Sequence, residues 1–201
     1  MNQIEQAARA LATGGLVVCA TDTVYGLCAS PHDPAALEQV NELKGRAGQP
    51  LALLAASLEQ LVSYLPELDE RRRSALEALL PGPYTIVLPN PENRLPSLSP
   101  GREGTIGIRV PDLPASTRAL VEAFGALAAT SANRHGEPDP RRVREIPGEI
   151  ASAVAVVLDE GELPGVPSTV IDLSGSEAVV LREGAGNAEL AIAVARVALG
   201  L

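Results

Sequence analysis

The chain of 201 residues is poor in aromatic side chains, with Tyr25, Tyr64, Tyr84 and Phe124 and no tryptophan. A surface that grips single-stranded nucleic acid by stacking needs more of them. Nor is there an excess of basic charge: the formal net charge of −9 disfavours a general nucleic-acid binder. Arg71-Arg72-Arg73 and Arg141, Arg142 and Arg144 do cluster, as solvated helix surface would. No apolar run is long enough to span a membrane. Residues 1–15 read as an amphipathic helix with Ile4, Ala7, Ala8 and Leu11 on one face, unlike a secretion signal, so a cytoplasmic location is expected. The two cysteines, Cys19 and Cys28, lie in or beside apolar segments and should be buried and reduced. Zinc and iron–sulfur spacings are missing, and His32 and His135 fall in polar loops where solvation is the simplest role. Neither G-x-x-x-x-G-K-S/T nor a G-x-G-x-x-G after a strand occurs, and no nucleophile elbow supports a Ser–His–Asp triad.

What is present is material for a core. At 46% hydrophobic, residues 1–201 suffice for one domain. After the first helix, strands are expected at Leu16–Ala20, Leu51–Ala55, Tyr84–Leu88, Thr105–Val110, Leu127–Ala129, Val154–Leu158, Ser168–Leu173 and Ala178–Arg182. Helices are expected from Pro34 to Leu43 behind Asp33 as N-cap, after Ser57, over Asp69–Leu80, over Pro114–Phe124 and from Asn187 to Leu199. Residues 89–104 and 134–149 read as loops, the second with at most one short helix. Helices and strands interspersed in this way predict an α/β fold with a mixed sheet.

Several segments place chemistry at strand ends, where open α/β sheets gather their ligands. Ala20-Thr21-Asp22-Thr23-Val24-Tyr25-Gly26-Leu27 follows the apolar run Leu16–Cys19 with hydroxyls and a carboxylate that suit a ligand-facing edge better than a core. In Lys44-Gly45-Arg46 two cations flank a glycine where a helix gives way to a loop. They suit a polyphosphate, and equally a helix C-terminus. In Thr105-Ile106-Gly107-Ile108-Arg109-Val110, alternation puts Ile106, Ile108 and Val110 on a core face. Thr105 and Arg109 then share the other face, about 13 Å apart, with Gly107 leaving room between them. That face could hold a small anion, Arg109 offering a carboxylate two hydrogen bonds, or could simply be solvated. Ala129-Thr130-Ser131-Ala132-Asn133 could meet phosphate oxygens or form a turn. Ser168-Thr169-Val170-Ile171-Asp172 and Leu181-Arg182-Glu183-Gly184 are further strand ends.

Taken in order, TDTVYGL at 21–27, KGR with PL at 44–51, PGPYT at 81–85, TIGIRVP at 105–111, TSAN at 130–133, STVID at 168–172 and LREG at 181–184 resemble the YrdC/TsaC family of threonylcarbamoyl-AMP synthases. The resemblance spans almost the whole chain and matches the short form without an extra C-terminal domain. It departs from the family at Ala20 and Ala47, where proline is common, at a Lys44–Leu51 loop about one residue short, and at His135 in place of a serine.

The resemblance implies a twisted sheet with flanking helices around a large, positively lined concave cavity. It implies an enzyme that condenses L-threonine, bicarbonate and ATP, with Mg2+, to threonylcarbamoyl-AMP and pyrophosphate. The adenylate would pass to a tRNA threonylcarbamoyl transferase complex that modifies adenosine 37, and any tRNA binding by this chain would be weak. By family position, Lys44, Arg46, Ser131 and Asn133 form the catalytic set. Lys44, Arg46, Thr105, Ser131 and Arg182 fall at ATP positions, and Thr23, Arg109, Ala129 and Ser168 at threonine positions. The related hydrogenase-maturation carbamoyltransferase carries zinc-finger cysteines that are missing here. The alternative of another class is a YrdC-like RNA-binding or ribosome-maturation module.

Overall fold

The computed structural model describes residues 2–46 and 48–200; the departure at Ala47 lies outside them. Helix α1 (Gln3–Ala12) starts in a capping box: Asn2 accepts from the Glu5 amide at 2.9 Å while Glu5 accepts from the Asn2 amide at 3.1 Å. The chain then runs β1 (Val17–Ala20), β2 (Tyr25–Ala29), α2 (Pro34–Leu43), β3 (Ala52–Leu54), α3 (Leu58–Tyr64), α4 (Glu70–Leu79), β4 (Tyr84–Pro89) and β5 (Thr105–Arg109). It continues through α5 (Ala115–Phe124), β6 (Leu127–Ser131), α6 (Gly148–Ala153), β7 (Val156–Leu158), β8 (Thr169–Asp172), β9 (Val179–Arg182) and α7 (Ala188–Leu199). Asp33, Ser57 and Asn187 cap α2, α3 and α7 as expected, each accepting a backbone amide in the first turn.

Among the described residues nine strands form one mixed sheet, in the order β7-β1-β2-β6-β3-β5-β4-β8-β9. β1–β7, β3–β5 and β4–β8 are parallel, and the other neighbours are antiparallel. One face carries Val18, Leu27, Leu53, Ile86, Ile108 and Ile171, all fully buried beneath side chains of α2, α3, α4 and α7. Each such side chain contributes about 1.5–3 kcal/mol by leaving water. The opposite face is closed differently. Ala7 and Leu11 of α1 and Leu120 and Val121 of α5 cover Val17, Cys19, Cys28, Leu54 and Leu127. Both cysteines are buried there as free thiols. Helices thus cover the second face over Val17, Cys19, Cys28, Leu54 and Leu127. Toward Gly26, Ala52 and Ser131 and over β5, β4 and β8 it is left open, a mix of polar and small apolar side chains, and this uncovered part positions the site.

Three expectations change. The hydroxyl-rich segment after β1 is a four-residue connection, and Tyr25–Ala29 returns as a strand paired Ala20↔Tyr25. β2 is buried on both faces, so it shows no alternation to read. β6 runs on to Ser131, placing Thr130 and Ser131 on the sheet rather than in a turn. The 134–153 region holds a 3-10 turn at Val143–Glu145 and then α6, one short helical element more than the sequence reading allowed, running past residue 149.

Candidate functional site

A cavity of about 250 Å3 opens on the uncovered part of the sheet, close to the range of small-ligand pockets, roughly 300–1,000 Å3. Its floor is a row of small residues brought together by register. Gly26 pairs with Ser131, Ala129 with Ala52, and Ala52 with Gly107. A Cβ added to Gly107 would meet only Thr85 Cγ2 at 3.8 Å and the Ala52 Cα at 4.0 Å, so the glycine makes space in the cavity rather than serving the backbone. Thr105 and Arg109 flank it on the same face, as the alternation predicts.

Four arginines line the cavity (Arg46, Arg102, Arg109 and Arg182) and, among the described residues, no aspartate or glutamate does. In a chain of net charge −9 this is a strong local inversion. Arg46 donates from Nη2 to Thr130 Oγ1 at 3.1 Å and the Pro50 carbonyl at 3.3 Å, and its buried Nε has no acceptor among the described residues. Burial lowers its pKa, yet a guanidinium stays charged. Arg182 donates to the Ser168 carbonyl from Nη2 at 2.8 Å and Nε at 3.2 Å, and Ser168 Oγ lies 2.8 Å from Thr85 Oγ1. Arg102 stands exposed on the rim, where its carbonyl accepts the Thr105 hydroxyl at 2.9 Å. The sequence reading missed Arg102 because its loop gives no periodic signal. Thr85, inside PGPYT, carries no separate sequence signal either.

Lys44 sits behind this wall. It is 3% exposed and does not line the cavity. Its ammonium donates to the Ser131 carbonyl at 2.6 Å, and to the Asn133 carbonyl and Oδ1 at 2.8 Å each. Burial foremost, then the charge of Arg46, lowers its pKa to about 8. Ser131 Oγ donates to Asn133 Oδ1 at 2.6 Å, and Asn133 Nδ2 to the Glu137 carbonyl at 2.6 Å. The structure thus joins Lys44, Ser131 and Asn133 in one network, with only Ser131 facing the cavity. In this state all three Lys44 protons are placed within the protein, so the ammonium supports the wall from behind.

Arg109 lines the cavity and is also engaged from behind. Its Nη2 donates to Asp22 Oδ1 at 2.7 Å and Thr23 Oγ1 at 3.2 Å. Both two-pronged edges of a guanidinium include Nη2, so no intact fork remains for a substrate carboxylate in this state. Burial pushes the Asp22 carboxyl up and the Arg109 guanidinium down, each against its partner's pull. Thr23 does not line the cavity itself. The Thr21 hydroxyl donates to the Val24 carbonyl at 2.7 Å and lies 3.0 Å from Thr23 Oγ1, which stiffens this connection. Ala129 lies in the floor, and Ser168 in the wall beside Arg182. No cluster of three or more potential metal ligands occurs among the described residues.

The fold and site define a class: an α/β protein with helices over one sheet face and part of the other, and an arginine-lined pocket on the part left open. A family model described as telomere recombination, Sua5/YciO/YrdC, matches residues 9–184, and the chain belongs to that family. Over 184 residues it is 35% identical to a threonylcarbamoyl-AMP synthase of Pyrococcus abyssi, a match covering 90% of this chain and 54% of the relative. Over 190 residues it is 33% identical to a threonylcarbamoyl-AMP synthase of Vibrio campbellii, covering 92% of this chain and 100% of that one. A crystal structure of P. abyssi Sua5 complexed with L-threonine superimposes with a TM-score of 0.83 at 35% identity, over 95% of this chain and 56% of the other. The chain therefore spans about half the length of the Pyrococcus relative and the full length of the Vibrio one. Among the described residues no helix is long and apolar enough to cross a membrane.

Proposed function

We propose that this chain is an L-threonylcarbamoyladenylate synthase, taking L-threonine, bicarbonate and ATP to threonylcarbamoyl-AMP and pyrophosphate. The observation that carries the reading is the cavity with four arginines and no carboxylate, in a family whose synthases are its relatives. Threonine's amine bonds to the carbon of dissolved carbon dioxide as one C=O π bond opens onto oxygen, and the nitrogen gives a proton to solvent to leave a carbamate; from bicarbonate, a C–O bond breaks and water leaves. A carbamate oxygen then forms a bond to the α-phosphorus, the bond to the β-phosphate oxygen breaks, and pyrophosphate leaves with the electron pair. The protein's part is to hold reactants in line and to stabilise phosphate charge.

Arg46 and Arg182 are the unpaired cations best placed for the triphosphate, with Thr105 and Ser131 beside them. The Ser131 hydroxyl would turn from Asn133 to meet a phosphate oxygen, while Lys44 keeps Asn133 in place. Thr23, Arg109, the Ala129 backbone and Ser168 would receive threonine. Magnesium bound with ATP would supply neutralisation of phosphate charge, while Arg46 and Arg182 would hold the phosphates themselves.

We read the chain as one domain, since its strands share one sheet, and as cytoplasmic, in keeping with two buried free thiols. The product would pass to a tRNA threonylcarbamoyl transferase. The test is incubation with magnesium-ATP, bicarbonate and L-threonine, followed by mass detection of the adenylate and release of pyrophosphate. Turnover should fall from threonine to serine to valine, as the methyl and then the hydroxyl contact is lost. A protein that makes no adenylate yet binds tRNA tightly without ATP would be the RNA-binding module instead.

A further inference from the structure

The Asp22–Arg109 pair is poorly made for a stabilising ion pair. Both side chains are about nine-tenths buried, at 10% and 11% exposure, and joined by a single 2.7 Å hydrogen bond. Asp22 Oδ2 and Arg109 Nε are buried with no hydrogen-bond partner among the described residues. A buried pair that leaves polar atoms unmade recovers little of its desolvation cost. Its effect on the cavity is electrostatic. Among the described residues, Arg46, Arg102 and Arg182 line the same cavity without a carboxylate partner. The charge of Arg182 reaches Arg109. Without Asp22, Arg109 and Arg182 would be two neighbouring unpaired cations, a receptor for phosphate. With Asp22 in place, the Asp22–Arg109 end carries no net charge.

We infer that Asp22 determines specificity at the amino-acid end of the cavity. By cancelling the charge of Arg109, it leaves that end suited to a zwitterion and unattractive to the phosphates drawn by the unpaired arginines. Asp22 does not line the cavity; it acts through Arg109. The inference rests on the synthase reading, which the adenylate assay tests separately.

The test is titration calorimetry with L-threonine, with and without millimolar pyrophosphate, on wild type and Asp22→Asn. Each protein is first checked for cooperative thermal unfolding. Wild type should bind threonine with the same affinity, within twofold, in either buffer. In Asp22→Asn, pyrophosphate should compete with threonine and lower its apparent affinity at least tenfold. Asp22→Glu, which keeps the charge, should restore independence. Asp22→Asn with Arg109→Gln should abolish the competition. Competition already present in wild type, or none in a folded Asp22→Asn, overturns the inference; the wild-type arm decides even if Asp22→Asn fails to fold. A wild type that makes adenylate but shows such competition sinks only the Asp22 role. One that binds no threonine sinks both readings.

Discussion

Lys44 is the chain's only lysine, so its chemistry can be watched alone. With 15N-lysine labelling, the single Nζ resonance should titrate near pH 8 rather than 10.5. The sign follows from burial. Between about pH 8 and 10.5 the unfolded chain holds a proton that the folded chain lacks, so Lys44's contribution to stability rises with pH through that window. Urea unfolding at both ends of the window should show the rise, and Lys44→Arg, which stays charged, should lack it. A resonance titrating at the ordinary value would mean that the ammonium is solvated. Lys44→Ala should still reduce turnover strongly, through loss of order at Ser131 and Asn133. Arg109→Ala would strand Asp22, a buried charge whose loss of partner costs about 3–5 kcal/mol of stability. Arg109→Lys should keep the fold but weaken threonine binding, since an ammonium holds one point and not a plane. ATP affinity measured in parallel should move less than threefold.

At the scale of elements, β5 divides the molecule cleanly: Ile106 and Ile108 in the core, Thr105, Gly107 and Arg109 toward the cavity. Gly107→Ala should fold and bind much as wild type does, because its Cβ meets only ordinary contacts. Gly107→Leu should keep its melting temperature within a few degrees yet lose both ligands, because the side chain fills the floor. A large loss of stability in Gly107→Leu with ligand binding intact would show that the face is packed and not open. The two-residue period of β5 makes this partition legible in the sequence. The partner of Arg109 was not legible: Asp22 lies 87 residues away, and nothing local to either segment encodes that contact. The register that sets Ala129, Ala52 and Gly107 in one row, with Gly26 opposite Ser131 beside it, is non-local in the same way. β2 escaped for a different reason, since a strand buried on both faces has no period to detect.

At the scale of the whole molecule, the site works against the chain's own charge. A net charge of −9 would repel ATP at long range, whereas the unpaired arginines would attract it at short range. Salt screens the two unequally. Charges farther apart than the Debye length, about 10 Å at 0.1 M, are screened first, and partly buried pairs least. Raising ionic strength should therefore remove repulsion from the surface while the arginine contacts largely persist. The expected outcome is an ATP association rate that rises slightly or stays level with salt, and a dissociation constant that weakens only shallowly. Arg46→Ala and Arg182→Ala should each weaken ATP at least tenfold at every salt concentration, by removing a charge-assisted contact worth about 1.5–3 kcal/mol. Arg102→Ala, on the exposed rim, should lose less, and more of that loss should disappear in high salt. A polyanion bound across the outer surface would instead weaken steeply with salt, in proportion to the phosphates contacted. Stopped-flow binding of a fluorescent ATP analogue across a salt series, in wild type and the three variants, measures both trends together. A steep salt slope in wild type, left unchanged by Arg46→Ala and Arg182→Ala, would move the nucleotide out of the cavity and onto the surface.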